Sequence, residues 1–89
     1  MEQKVLDGIS YIKSSKNRYK VINSMSSKFK MPSEISKETS IRLNHVSALL
    51  AEVKKEGLVE CLNEEKKKGR IYCLTDFGKD VLEIIEEQE

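Results

Sequence analysis

Proline, glycine and cysteine are all scarce in this sequence of 89 residues, which contains one Pro, four Gly and two Cys. So little proline and glycine excludes a flexible linker or a collagen-like chain. Two cysteines are too few for a disulfide framework and fit a reducing compartment. No apolar run approaches the roughly 20 residues of a membrane-spanning helix, and the polar N-terminus is unlike a signal peptide. We therefore expect a cytoplasmic protein.

The groups that enzymes and metal sites need are also missing. The sequence has no glycine-rich phosphate loop, no motif that places a Cys/His nucleophile pair, and no carboxylate pair that indicates a cleft. His45 is the single histidine, and one histidine with two cysteines is a poor zinc set, because structural zinc sites usually take four ligands. We predict no catalysis, no metal and no cofactor, and no small-molecule ligand is evident.

The net charge of +1 conceals an uneven distribution along the chain. Residues 1–75 contain 15 basic and 9 acidic side chains, whereas residues 76–89 contain one lysine and six acidic side chains. Residues 13–33 contain six basic side chains and no acidic one. A basic body with an acidic C-terminal segment is typical of an electrostatic face for a polyanion such as nucleic acid.

Hydrophobic periodicity predicts a mostly helical α+β fold in the order H-H-H-H-E-E-H. Ser15 and Thr75 are expected to cap the second and the last helix, because a hydroxyl can accept an unpaired backbone N–H. Pro32 fits the first turn of the third helix. Within one domain spanning residues 1–89, the predicted helices are 3–13, 16–27, 32–38, 43–56 and 76–88, and the predicted strands are 58–63 and 70–75.

The third and fourth helices, residues 32–56, fit a helix-turn-helix, and the hairpin at residues 58–75 fits the wing beside it. In this device the second helix lies in the major groove of DNA. The fourth helix carries an inward apolar stripe of Val46, Leu49, Leu50 and Val53. Its opposite face is therefore expected to be the reading surface, and the alternative is an ordinary solvated helix face.

The residues along these elements resemble winged helix-turn-helix transcription regulators of the MarR/ArsR-like group. The resemblance is carried by residues 32–37, 44–50, 55–60 and 68–78, and residues 15–22 resemble the opening helix of short archaeal members. It covers about residues 14–88 and implies a sequence-specific DNA-binding regulator. The sequence departs from the group at three positions, which commonly hold a capping Ser or Thr, a turn Gly and a longer polar side chain: Met31, Ser40 and Ala48.

Three sets of residues are candidate contacts to double-stranded DNA. Base edges would be contacted from the fourth helix, phosphates from the wing, and the backbone from the helix-turn-helix entry, where Arg42 could also reach a guanine. The wing cations have a simpler alternative, a solubilising turn that blunts edge pairing. The candidates are Asn44, His45, Ser47 and Ala48 on the helix; Lys66, Lys67, Lys68 and Arg70 in the wing; and Ser33, Lys37 and Arg42 at the entry.

Several single residues leave two interpretations open. His45 could titrate near neutral pH and tune DNA affinity, or be a plain contact residue. Cys61 and Cys73 would lie opposite each other if the hairpin loop were symmetric about residue 67, which would allow a redox-sensing disulfide; otherwise they are two small apolar strand residues. Of the basic residues at 13–33, Lys28 and Lys30 are the expected phosphate neighbours.

The terminal helices carry more apolar surface than a lean core needs. Part of this surface is expected to form a two-fold homodimer that places two reading helices on a palindromic site, and the alternative is packing within the monomer. Winged helices also occur as interaction modules, since a fold does not determine a function. A protein-interaction or RNA-binding module without specific DNA readout is therefore the alternative function. The apolar residues concerned are Val5, Leu6, Ile9, Ile12, Val81, Leu82, Ile84 and Ile85.

Overall fold

The computed structural model describes residues 2–26 and 28–88, and in this part of the chain it contains five helices and two strands in the predicted order. No helix among these residues is long and apolar enough to cross a membrane. The elements are α1 (Gln3–Lys13), α2 (Lys16–Ser24), α3 (Pro32–Thr39), α4 (Leu43–Lys55), β1 (Val59–Cys61), β2 (Tyr72–Leu74) and α5 (Asp76–Gln88).

The predicted helix caps are present. The Ser15 hydroxyl accepts the Arg18 N–H at 3.3 Å, and the Thr75 hydroxyl accepts the Gly78 N–H at 3.0 Å. The N-cap of α3 is Met31, whose side chain makes no capping bond; instead Glu34 reaches back and accepts the Met31 N–H at 2.9 Å. A carboxylate in the first turn also interacts favourably with the helix dipole, so α3 begins without a Ser or Thr cap.

The turn between α3 and α4 depends on a left-handed residue. Ser40 has φ +62°, a left-handed conformation that favours glycine. This explains why glycine is common at this position in the group that the sequence resembles. The Ser40 N–H donates to the Ser36 carbonyl at 2.9 Å, and the Thr39 hydroxyl accepts the Ile41 N–H at 3.3 Å. These bonds set the angle at which α4 leaves the helix-turn-helix.

The predicted end of α2 and the predicted bounds of both strands are wrong. Helix α2 ends at Ser24, because Met25 leaves helical geometry with φ −102° and ψ 16°, and residue 27, where the predicted helix ended, lies outside the described residues. The strands are shorter than predicted, because the Asn63 side chain takes over from the ladder and accepts the Ile71 N–H at 2.8 Å. The two-stranded antiparallel sheet gains an edge contact at Lys30, whose backbone exchanges two 2.9 Å hydrogen bonds with Tyr72.

One cluster of buried apolar side chains connects all five helices to the sheet. The inward stripe of α4 is buried as predicted, and Val46 and Val53 are wholly inaccessible. Helix α5 packs across α1, and this packing covers Ile9, Ile12, Val81, Leu82 and Ile85. Much of the terminal apolar surface is therefore used within the chain, whereas Leu6 remains 43% exposed. The core holds α3, α4 and the hairpin around one open surface.

Candidate nucleic-acid interface

A groove of about 610 Å³ lies between the start of α3, the outer face of α4 and the wing loop. We call it the reading groove. Five of the eleven predicted contact residues line it, and they come from three separate elements: Ser33, Ser47, Lys67, Lys68 and Arg70. The fold thus brings the helix and the wing cations together on one surface.

The outer face of α4 is the second part of this surface. Asn44, His45, Ser47 and Ala48 are all exposed, opposite the buried stripe. The Asn44 Oδ1 accepts the His45 N–H at 3.0 Å, so this amide is ordered at the start of the helix. Donors, acceptors and a methyl group on an exposed helix face are the groups that read base edges.

The remaining predicted cations do not line the groove. Lys37 lies exposed in the last turn of α3, and Arg42 lies exposed at the N-cap of α4. Lys66 is exposed on the wing, but it is not among the groove-lining residues.

The wing loop is tied to its own backbone and to α4. The Arg70 guanidinium donates from Nε to the Lys66 carbonyl at 2.7 Å and from Nη2 to the Glu64 carbonyl at 3.2 Å. The Glu64 carboxylate forms an ion pair with the Lys54 ammonium of α4. This pair raises the pKa of Lys54 and lowers the pKa of Glu64, mainly through their hydrogen bond.

Six groove residues were not among the contacts predicted from the sequence: Met31, Pro32, Leu43, Ala51, Gly69 and Tyr72. Leu43 precedes Val46 by three residues, which is the spacing of the buried stripe, yet it is 50% exposed. Ala51 lies one turn beyond Ser47 on the same helix face, and helical spacing could have identified it. Met31 and Tyr72 lie at the pairing of Lys30 with Tyr72, for which the sequence contains no signal.

Two cations of the acid-free segment 13–33 have partners within the chain. Arg18 stacks on the Tyr11 ring at 3.9 Å, donates to the Tyr11 carbonyl at 3.0 Å, and lies 3.9 Å from the Glu52 carboxylate. Lys30 forms an ion pair with Glu38. Burial is the main reason that the pKa of Tyr11 is raised. Lys28, in contrast, is exposed.

The condition under which Cys61 and Cys73 would lie opposite each other, a loop symmetric about residue 67, is not met. The strand register pairs Cys61 with Tyr72 and Cys73 with Glu60, one residue away from symmetry about residue 67. Because successive strand residues point to opposite faces, the two thiols lie on opposite faces of the hairpin. Cys61 contacts Asn63 at 3.6 Å, and Cys73 contacts Glu60 at 3.7 Å.

We expect that a mild thiol oxidant will not join Cys61 to Cys73 in the folded chain. The register separates the two thiols, and burial together with the nearby Glu60 carboxylate raises the pKa of Cys73 and keeps its thiol protonated. Mass spectrometry after treatment with diamide should show no intramolecular disulfide. The same treatment in denaturant should produce one, and a disulfide in the folded sample would contradict the register.

Among residues 2–26 and 28–88, no group of three or more His, Cys, Asp or Glu side chains is placed to hold a metal ion. His45, the single histidine, lies exposed on α4, at the reading surface. The chemistry available here is therefore that of hydrogen bonds, methyl contacts and positive charge.

Solved structures of winged helix proteins match this architecture. No protein-family model matches the chain, and no curated protein matches it at a significant level. TubR bound to 24 bp of tubC, from Bacillus thuringiensis serovar israelensis pBtoxis, matches with a TM-score of 0.85 and 13% identity over 100% of this chain and 99% of that chain.

Two further structures show the same likeness. The homodimeric winged helix-turn-helix DNA-binding domain Mb0332 from Mycobacterium bovis, a possible ArsR-family transcriptional regulator, matches with a TM-score of 0.75 and 16% identity over 94% of this chain and 77% of that chain. A MarR mutant from E. coli complexed with operator DNA matches with a TM-score of 0.74 and 24% identity over 96% of this chain and 62% of that chain. The chain therefore has the winged helix fold.

Proposed function

We propose that this protein is a sequence-specific, double-stranded DNA-binding transcriptional regulator. The observation that carries the proposal is the reading groove, where an exposed face of α4 meets the cations of the wing. A polyanion with a grooved surface complements such an arrangement, because a helix fits the major groove while flanking cations neutralise phosphates. TubR and MarR, two of the matching structures, are bound to DNA.

The exposed residues divide into base readers and phosphate binders. Asn44, His45 and Ser47 would hydrogen-bond base edges from α4, and Ala48 would touch a thymine methyl. Ser33, at the start of α3, would bind a phosphate with help from the helix dipole. The cations that would hold the DNA backbone are Lys37, Arg42, Lys66, Lys67 and Lys68, with Arg70 in the same loop.

We propose that residues 1–89 work as one domain and bind DNA as a homodimer in the cytoplasm, without catalysis. The homodimeric Mb0332 domain supports the dimer, and the half-exposed Leu6 on α1 is a candidate for its apolar contact. Helix α5 carries the acidic surplus and packs on α1, so a dimer through the terminal helices keeps that charge away from DNA. Two-fold symmetry would direct both α4 helices to a palindromic site.

A salt titration tests this function directly. Binding of the full chain to a labelled DNA duplex is measured by fluorescence anisotropy between about 50 and about 200 mM salt. We expect the slope of log affinity per bound chain against log salt to be about −3 to −5, since each neutralised phosphate contributes roughly −0.9. The titration endpoint should give two chains per duplex.

Two control ligands separate the alternatives. Single-stranded DNA and an RNA duplex of the same sequence should both bind more weakly than the DNA duplex. Single-stranded DNA has no major groove for α4 to enter, and A-form RNA has a deep, narrow major groove that side chains cannot read. Preference for the RNA duplex would indicate an RNA-binding module, and preference for single-stranded DNA would contradict readout of a DNA duplex. Failure to bind genomic DNA fragments at the lowest salt would refute the proposal and favour a protein-interaction module.

A further inference from the structure

The wing loop is closed by side chains of its own strand ends. Asn63 accepts the Ile71 N–H at 2.8 Å and donates to the Gly69 carbonyl at 3.1 Å. The Lys66 N–H donates to the Asn63 carbonyl at 3.0 Å, and Gly69 takes a left-handed φ of +69°. The loop that presents the lysines is thus a folded turn, with hydrogen bonds at both of its ends.

Arg70 completes this closure from the inside of the loop. Its Nε donates to the carbonyl of Lys66, and its Nη2 donates to the carbonyl of Glu64. Lys66 directly precedes Lys67 and Lys68, which line the reading groove. The planar guanidinium fork can hold two acceptors at once, which an ammonium on a flexible stem cannot reproduce.

The same loop is also attached to α4. The Glu64 carbonyl accepts a hydrogen bond from Arg70, and the Glu64 carboxylate forms an ion pair with Lys54, which lies in the last turn of α4. Glu64 therefore links the Arg70 guanidinium and the wing loop to α4. A loop that is ordered before binding does not have to lose its conformational freedom when the ligand arrives, which favours affinity.

We propose that Arg70 is a positioning residue: it holds the wing loop so that Lys67 and Lys68 face the reading groove, and it does not itself bind phosphate. This inference rests on the proposed function, because it concerns how the wing engages DNA. Its physical basis is that Arg70 already donates to two carbonyls in the free protein, whereas Lys66, Lys67 and Lys68 are exposed.

The variants Arg70→Lys and Arg70→Ala distinguish positioning from contact. Arg70→Lys keeps the positive charge but loses the paired carbonyl bonds, so we expect both variants to bind a DNA duplex about 10-fold more weakly than wild type with an unchanged salt slope. A phosphate contact would instead let Arg70→Lys bind nearly as well as wild type, and Arg70→Ala would reduce the slope by about one. Lys68→Ala is the matched control, expected to reduce the slope by about one.

The free protein gives a readout that needs no DNA. In wild type, the Arg70 Nε–H NMR signal should be protected from exchange by the Lys66 carbonyl. In Arg70→Lys, backbone order parameters at residues 64–69 should fall while the melting temperature stays the same, since the loop lies outside the core. Unchanged order parameters, or full DNA affinity in Arg70→Lys, would overturn the positioning role. If wild type itself fails to bind DNA while the order parameters fall, the proposed function is what has failed, and Arg70 is then a loop-ordering residue with no role in DNA binding.

Discussion

Replacing Lys66, Lys67 and Lys68 together by alanine is expected to weaken binding to every DNA duplex by about 100-fold per bound chain near 150 mM salt. All three lysines are exposed on the wing, and two of them line the reading groove. Each lost phosphate contact removes roughly 0.9 from the salt slope, so the slope per bound chain should fall by about 2.7. Anisotropy titrations against two DNA duplexes of unrelated sequence check both numbers.

A matched triple variant controls for charge alone. Lys13, Lys16 and Lys79 are also exposed, but they lie on α1, α2 and α5, away from the groove lining, and their replacement removes the same charge. We expect this control to change the affinity only slightly. Equal losses in the two variants would mean that a diffuse field binds the DNA. A loss confined to one duplex sequence would mean that the wing reads bases.

The helices were the predictable part of the fold, for a physical reason. Helices α1 and α5 have the predicted bounds, and the α4 stripe is buried, because periodicity and caps are properties of neighbouring residues. The end of α2 was missed by periodicity, since Met25 remains buried after the helix has ended. Local patterns identify a helix better than they identify its last turn.

The hairpin register was not predictable, because it depends on how the loop folds. The Asn63 side chain replaces a ladder partner, and this places Cys73 opposite Glu60 instead of Cys61. A one-residue shift exchanges the two faces of a strand, so a small error in the loop removes the whole disulfide hypothesis.

The candidate site was predictable as a list of exposed residues, but its shape was not. Spacing placed Ser47 on the outer face of α4, and charge placed lysines in the wing. Charge alone could not show which cations already have partners: Arg18 stacks on a tyrosine, and Arg70 donates to its own loop. Such contacts join residues whose approach is decided only by the fold.

Gly78→Ala is the substitution expected to destabilise the fold most. A Cβ built at Gly78 would lie 2.0 Å from the Leu58 carbonyl oxygen and 3.0 Å from its carbon. That oxygen accepts the Thr75 N–H at 3.1 Å, and the Leu58 side chain is fully buried, so the backbone has little freedom to move aside. We expect a loss of about 3 kcal/mol or more, because overpacking against backbone forces α5 away from the sheet.

Thermal unfolding by circular dichroism should therefore show the melting temperature of Gly78→Ala lowered by roughly 12 °C or more, given about 4 °C or more per kcal/mol for a domain of this size.

Two other glycines serve as controls. A Cβ at Gly57 would meet no atom within 4 Å, but Gly57 has a left-handed φ of +79°. We therefore expect Gly57→Ala to lower the free energy of unfolding by about 1 kcal/mol. A Cβ at Gly8 would lie 3.1 Å from the Val81 side chain and 3.2 Å from the Phe77 side chain, and both side chains can adjust. Alanine is also more favourable than glycine in a helix interior by about 1 kcal/mol. If Gly78→Ala were no less stable than Gly57→Ala, α5 could not lie directly on the Leu58 backbone, and the support that positions the wing beside α4 would have to come from elsewhere.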